Sequence, residues 1–458
     1  MLRTASIICI SMAVTASAQQ SDIGSEFNNE GRDLKTSCSP FGFGKLAGCA
    51  EALFTEPPVH IAVGSLAPQN GFGAGVAFVY HWETENWRNS LDVDAVASPN
   101  QSWRGGAYLT LVWIKRPNLV MKPGGSAPGK KPAIKEQRVF HLYAQSTSLN
   151  KLYFFGLGPN TTDTARSIFG MTETVAGGNV VWPIWQKLNA SLLGEANGRF
   201  VDLRGDANQP ASIDQLYTPA TAPGLANQPG FAQFGEAIRI RPSLASGHIQ
   251  LNYNVAFQEY VAASSKSSFE RLTIDLQHQF PLYQTARSSL ANESLGPDDC
   301  PPGNASRACS GITRNLEGSF GIRFLMTQSF VPAGNVVPFY FQPTLGGSDI
   351  NGTATLASYQ DYRFRAPNNI LARASFEHSI YNLPLGVTAM IDEGKVALSR
   401  SDLDFTHLRH SYSAGLTLRA GGFPVVYLLF SWGGHEGTHT STTVDTSLLG
   451  SSTRPSLY

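Results

Sequence analysis

Four cysteines, Cys38, Cys49, Cys300 and Cys309, stand as two close pairs in Gly/Pro/Ser-rich stretches, where thiols could close two small loops as disulfides or stay free. Zinc binding is the rival chemistry, but neither pair has CxxC spacing or histidines at zinc-site distance. His435 and His439 lie four apart in a Gly/Thr-rich tail, where a solvated loop is a better reading than a metal site. Asp298 with Asp299, and Asp402 with Asp404, could be imagined as carboxylate pairs or calcium ligands in loops, but ordinary loop solvation is the better reading. There is no Gly-x-Ser-x-Gly elbow, phosphate loop, HExxH or GxGxxG. The expectation is a non-enzyme with no catalytic residue, no metal and no cofactor.

The elements that carry these residues must be β-strands. The chain has 458 residues, 42% hydrophobic but only 15% charged, against roughly 25% in an average soluble domain, so one of its surfaces does without charge. Lys+Arg and Asp+Glu balance at 34 each, which leaves no basic field for nucleic acid. Residues 1–18 combine Arg3, an apolar run and the small-residue end Ala16-Ser17-Ala18, the layout of a cleaved secretory signal. Cys9 lies inside that run, too early for a lipid acceptor, and leaves with the signal. Beyond residue 18 no apolar run is long enough for a membrane helix, so crossing a bilayer would require a closed barrel, which alone pairs every backbone group without helices.

Period-two alternation supplies the strands. In 248–260, Ile249, Leu251, Tyr253, Val255 and Phe257 alternate with Gln250, Asn252, Asn254, Ala256 and Gln258, which separates a lipid face from a lumen face. Segment 271–280 repeats the pattern, and the short link 262–268 makes the two a hairpin. Further candidates are 72–82, 107–113, 320–326, 370–380 and 425–430, the longer ones reaching about 9–11 residues, enough for a tilted strand to cross the hydrocarbon. A secreted soluble β-sandwich or propeller also alternates, but its strands are shorter and its surface more charged. The expected architecture is all-β, a transmembrane antiparallel barrel of about 16 strands. It would occupy 59–458, after a short extension over 19–58. Segments 117–131, 206–230 and 288–311, rich in Pro, Gly, Asn and Ser, read as extracellular loops.

From about Leu345 onward the chain resembles the bacterial surface-antigen barrel superfamily, the group that includes the BamA and TamA outer-membrane assembly factors and the two-partner secretion translocators. LGGSDINGTATLASYQDYRFRAPNNILARASFEHSI resembles the family's run from a Gly-Gly strand end, through a loop with an Arg-Gly motif, into a Tyr-Arg-Phe-Arg stretch. VTAMIDEGKV resembles its Phe-x-Asp-x-Gly strand, with Asp392 and Gly394 in the matching places, and HSYSAGLTLRAGGFPVVYLLFSWG its last two strands. YFFGLGPNTTDTARSIF is a weaker match. The resemblance implies a long loop folded into the lumen and pinned by its arginine to the strand aspartate. Here the motif reads Leu356-Ala357-Ser358-Tyr359, so arginine and glycine are both missing, and Asp392 is expected to turn to Arg363 or Arg365 or to neither. The short stretch before the barrel leaves no room for the family's periplasmic POTRA modules. The implied setting is the outer membrane, with its lipid and unfolded outer-membrane or secreted proteins as partners. A passive channel and a secreted soluble β protein are the alternatives. The tail 433–458 ends either in another short strand or exposed.

Overall fold

The computed structural model describes residues 59–114, 137–205, 211–289, 312–380, 385–420, 423–434, 436 and 438–444. The signal, the extension, all four paired cysteines, His435, Asp298 and Asp299 lie outside them.

The strands are β1 (Val59–Ser65), β2 (Phe72–Glu83), β3 (Trp87–Ala97), β4 (Trp103–Trp113), β5 (Val139–Phe154), β6 (Ser167–Trp185), β7 (Ala190–Arg204) and β8 (Phe231–Ile240). A two-residue β9 (Ser243–Leu244) precedes β10 (Ile249–Ala262), β11 (Phe269–Ser289) and β12 (Ile312–Phe330). Then come β13 (Thr344–Leu345) and β14 (Phe364–Arg365), which pair only with each other. The wall resumes with β15 (Asn368–Ser379), β16 (Leu385–Ala397), β17 (Arg409–Ala420), β18 (Phe423–Trp432) and β19 (His439–Val444). Sixteen of these strands, all but β9, β13 and β14, form one antiparallel wall in chain order. Its end returns to its start, with β19 beside β1 at Cα separations within 8 Å. The result is a closed barrel. Every segment expected to alternate lies in a strand but for the end residues His248 and Ile380, and the 262–268 link does join the β10–β11 hairpin. The segment after Trp432 holds a sixteenth wall strand, so His439 sits opposite Ser431 in a ladder rather than in a solvated loop.

Alternation sorts the side chains by solvent. Val76, Phe200, Phe234, Leu142 and Phe430 point outward, Val76 being 60% exposed, while Asp92, Asp94, Gln145, Arg199, Gln233 and Asp392 point inward and are buried. A mainly apolar outward face around a closed wall is what a hydrocarbon surround demands. On β2 and β4 the outward faces start and end in aromatics, Phe72 with Trp82 and Trp103 with Trp113. Ten strand steps at about 3.3 Å, tilted by about 40°, give a belt ~25 Å tall. The Trp87 ring meets Trp113 edge-on at 4.8 Å and Phe140 at 5.7 Å, building the interfacial girdle on one side.

Because every wall pair is antiparallel, connections alternate between two rims. The rim from which β1 enters and β19 leaves, here the terminal rim, holds the connections at 84–86, 186–189 and 241–248. The opposite, loop rim holds 66–71, 98–102, 155–166, 205–230, 263–268, 331–367, 398–408 and 433–438. Of the three segments expected as extracellular loops, 211–230 is described and lies on the loop rim, while 117–131 and 290–311 lie outside the described residues. Composition registers that a segment is a loop; only the parity of crossings assigns its side.

Candidate functional site

The site is the lumen beneath the loop rim, and its main occupant is the connection 331–367. From Val337 to Asn369 nearly every residue of this loop is buried, unusual for a connection and possible only inside the barrel. Its first part drives an aromatic wedge, Phe339-Tyr340-Phe341, against one wall. Phe339 lies 4.9 Å from Phe154 and 5.3 Å from Phe169, and Phe341 meets Phe231 edge-on at 4.9 Å and Tyr260 at 5.4 Å. Arg271 of β11 donates to the Phe341 carbonyl, and the Phe339 amide donates to Pro223 O at 2.8 Å. In the wall beside the wedge, Arg199 Nη1 donates to Glu173 Oε1 at 2.8 Å and Arg199 Nε to Gln233 Oε1 at 2.5 Å. This pair has almost no contact with water.

The second part of the loop crosses to the opposite wall. There Asp392 of β16, 2% exposed, accepts Arg373 Nε at 2.6 Å, Arg373 Nη2 at 2.7 Å and the Leu356 amide at 2.9 Å. Arg373 of β15 also donates to Ala354 O. Asp392 thus does pin the loop, but its guanidinium comes from the adjoining strand rather than from Arg363 or Arg365. Arg373 and Asp392 are direct partners in the β15–β16 register, which holds the fork in place before the loop arrives. The loop contributes only backbone groups to this pin, the Leu356 amide and the Ala354 carbonyl, and no arginine of its own. Leu356 presents its amide from a positive φ of 46°, a conformation that branched side chains avoid.

The remaining expected residues surround this pin. Tyr359 packs edge-on to Phe364 at 5.1 Å, and with Leu345, Leu356, Ala366, Leu371 and Val396 they form a small core between loop and wall. Gly394 borders it, since a Cβ there would lie 2.9 Å from Ile370 O and 3.1 Å from Leu345 Cδ1. Arg365 donates to Phe339 O at 2.8 Å, and its own carbonyl accepts the Gly158 amide at 2.8 Å. Arg363, 1% exposed, forks onto Glu436 and donates to Thr161 Oγ1 at 2.8 Å and Thr161 O at 2.6 Å. Leu356, Tyr359, Asp392 and Gly394 are thus gathered at one place, while Arg363 and Arg365 face other partners. Arg373 was missed from sequence. A period-two reading of the two strands around 380–384 would place it across from Asp392.

Asp349, in the tight turn of the same loop, accepts the amides of Asn351 at 3.0 Å and Thr353 at 2.8 Å. Burial pushes its carboxyl up to about 6, with those amides pulling the other way. Asp404, outside the wall, has a half-exposed side chain, accepts Lys395 Nζ at 2.7 Å and is held low by it. Among the described residues no group of three or more His, Cys, Asp or Glu side chains is placed to hold a metal ion.

Two cavities flank the plug. One, of about 570 Å³ toward the terminal rim, is lined by His141, Asn179, Glu195, Arg239 and Asn254. The other, of about 820 Å³, lies between the loop, the wall at Arg373, Glu377 and Tyr427, and the meeting edges of β1 and β19 at Ser65 and Thr440. At those edges the wall changes character. Each other neighbouring pair of wall strands shares a ladder of six or more registered residue pairs, whereas among the described residues none joins β1 to β19. These are also the two shortest wall strands, of seven and six residues.

No family model matches the chain, and no curated protein matches it. Among solved structures the chain is similar to BamA from Haemophilus ducreyi lacking POTRA domains 1–3, with a TM-score of 0.45 and 10% identity over 84% of this chain and 68% of that one. It is also similar to CdiB from Acinetobacter baumannii (TM-score 0.45, 11% identity, 84% of this chain and 58% of that one). CdiB from Escherichia coli gives a TM-score of 0.45 and 12% identity over 86% of this chain and 61% of that one. The chain spans about three fifths of the length of the two CdiB chains.

Proposed function

We propose that this barrel inserts or translocates protein segments at the outer membrane, using the seam between β1 and β19 as the place where a client strand meets the wall. The unladdered seam carries this reading. Parting any other neighbouring strands would break a run of backbone hydrogen bonds in hydrocarbon, each costing several kcal/mol with no water to replace it. Parting β1 from β19 breaks no such ladder among the described residues, and it frees two strand edges whose amides and carbonyls can template an extended segment. The 820 Å³ cavity behind the seam offers space on the lumen side for that segment's inward side chains.

A passive channel fits less well, because the buried 331–367 loop spans the lumen from the β6–β11 wall to the β16–β17 wall. A soluble β protein fits worse still, given the apolar exterior. The test is the folding of an unfolded small barrel protein into vesicles that contain this chain. A cysteine pair, one in Val59–Ser65 and one in His439–Val444, locks the seam in a variant relieved of its natural cysteines. Client folding should be accelerated, lose the acceleration on oxidation and regain it on reduction. Acceleration indifferent to the lock would refute the reading, and steady ion conductance without acceleration would favour the channel.

A further inference from the structure

The lumen loop touches both sides of the seam, and it does so through three consecutive residues. On the β1 side, Gln69 Nε2 donates to Asp361 Oδ2 at 2.7 Å and Tyr362 Oη donates to Pro68 O at 3.0 Å, both in the turn between β1 and β2. On the β19 side, Arg363 Nη2 donates to Glu436 Oε1 at 2.6 Å and Arg363 Nε to Glu436 Oε2 at 2.8 Å, in the turn between β18 and β19. Gly434 of that turn, at φ 72°, lies so close to Tyr359 that a Cβ would come within 2.1 Å of its hydroxyl oxygen. Where no ladder joins β1 to β19 among the described residues, the plug supplies a connection.

We propose that Asp361-Tyr362-Arg363 is a clasp across the seam and that the Arg363–Glu436 pair is its releasable half. The asymmetry lies in how each partner is held. Arg363 would stay in place without Glu436: Thr161 takes two of its donors, and its guanidinium lies 4.9 Å from the Phe155 ring and 4.6 Å from that of Phe364. Glu436 sits on a short turn, its side chain 16% exposed against 1% for Arg363, so water can take over the carboxylate but not the guanidinium. The β1 side is held more firmly, because Tyr153 Oη also donates to Gln69 Oε1 at 3.0 Å and Asp361 Oδ1 accepts the Ser348 amide at 2.9 Å. The β18–β19 hairpin is therefore the leaf that swings, and β1 the post. This regulation rests on the proposed use of the seam as a port.

Hydrogen exchange read by mass spectrometry on the full chain in lipid vesicles tests it. Two variants leave Arg363 untouched: Glu436→Gln, which removes the charge, and Gly434→Ala, which pushes the turn off Tyr359. Each should speed exchange in 439–444 by about 5- to 30-fold, the worth of one charge-assisted fork, while 59–65 changes less than about twofold. Unchanged exchange in 439–444, or an equal rise on both sides, overturns the clasp. The functional reading fails separately: if the swing is seen but the unmodified barrel does not accelerate client folding, the clasp stands and the insertase assignment falls.

Discussion

Replacing Asp392 by Asn keeps the size of the side chain and removes the charge on which the loop pin depends. Three donors then lose their carboxylate: two from Arg373 and one from the Leu356 amide. Breaking a buried ion pair by removing one partner costs about 3–5 kcal/mol, and weakening the acceptor of a buried amide adds about 1–3 kcal/mol. Two features reduce the sum. Asn retains an oxygen that can accept one of the three bonds, and Arg373, its side chain 14% exposed, borders the larger cavity, from which water can solvate it. The expected loss is therefore about 2–4 kcal/mol. It is measurable as a lower urea midpoint for unfolding from lipid vesicles, accompanied by faster exchange at the Leu356 amide. Arg373→Gln should cost a similar amount, and the double variant much less than the sum, with a coupling above about 1 kcal/mol. A loss below about 1 kcal/mol, or single effects that add to within about 0.5 kcal/mol, would refute the claim that this pair holds the loop.

Val76→Arg, at an outward position midway along β2, should cost about 2–4 kcal/mol in vesicles, and no such penalty in a detergent-free soluble state would sink the membrane assignment. Phe339→Ala removes the ring that meets both Phe154 and Phe169, so it should destabilise by about 3–5 kcal/mol and raise single-channel conductance as the wedge loosens. Unchanged conductance would mean that the wedge does not obstruct the lumen. Asp349 titrates near 6 in the folded chain against about 3.9 when unfolded, so the folded state binds its proton more tightly. Its contribution to stability is present below about pH 4 and lost as pH rises to about 6. Asp349→Asn should thus stabilise the barrel at pH 8 relative to the parent but not at pH 4, and a difference independent of pH would contradict the burial argument.

Much of the wall was legible because alternation is a local property. In β10 and β11 the outward positions are apolar save for Glu259, Glu270 and His278, and most inward ones are polar, so the strands declare themselves without reference to their neighbours. The pattern blurs in β3, β6 and β7. Inward positions there hold Asp92, Asp94, Glu173 and Arg199 beside Val96, Val175 and Val201, because the lumen beneath the plug is part protein core and part polar network. A single strand's sequence cannot tell which inward residues the loop will cover.

Sequence by itself therefore determined the class of structure: too little charge for a soluble surface, period-two segments of membrane-crossing length, and a loop-and-strand text around Asp392 that pointed to a pinned plug. Tertiary structure decided who holds whom. The partner of Asp392 follows from the β15–β16 register, and the side on which each described long segment emerges follows from the parity of crossings. The clasp is more distant still, since Tyr362 meets Pro68 across 294 positions and Arg363 meets Glu436 across 73. Such contacts are created by closure itself. Once the sixteen wall strands curl until the last lies beside the first, residues with no local relation share one small volume, and side-chain chemistry selects the pairs that stay.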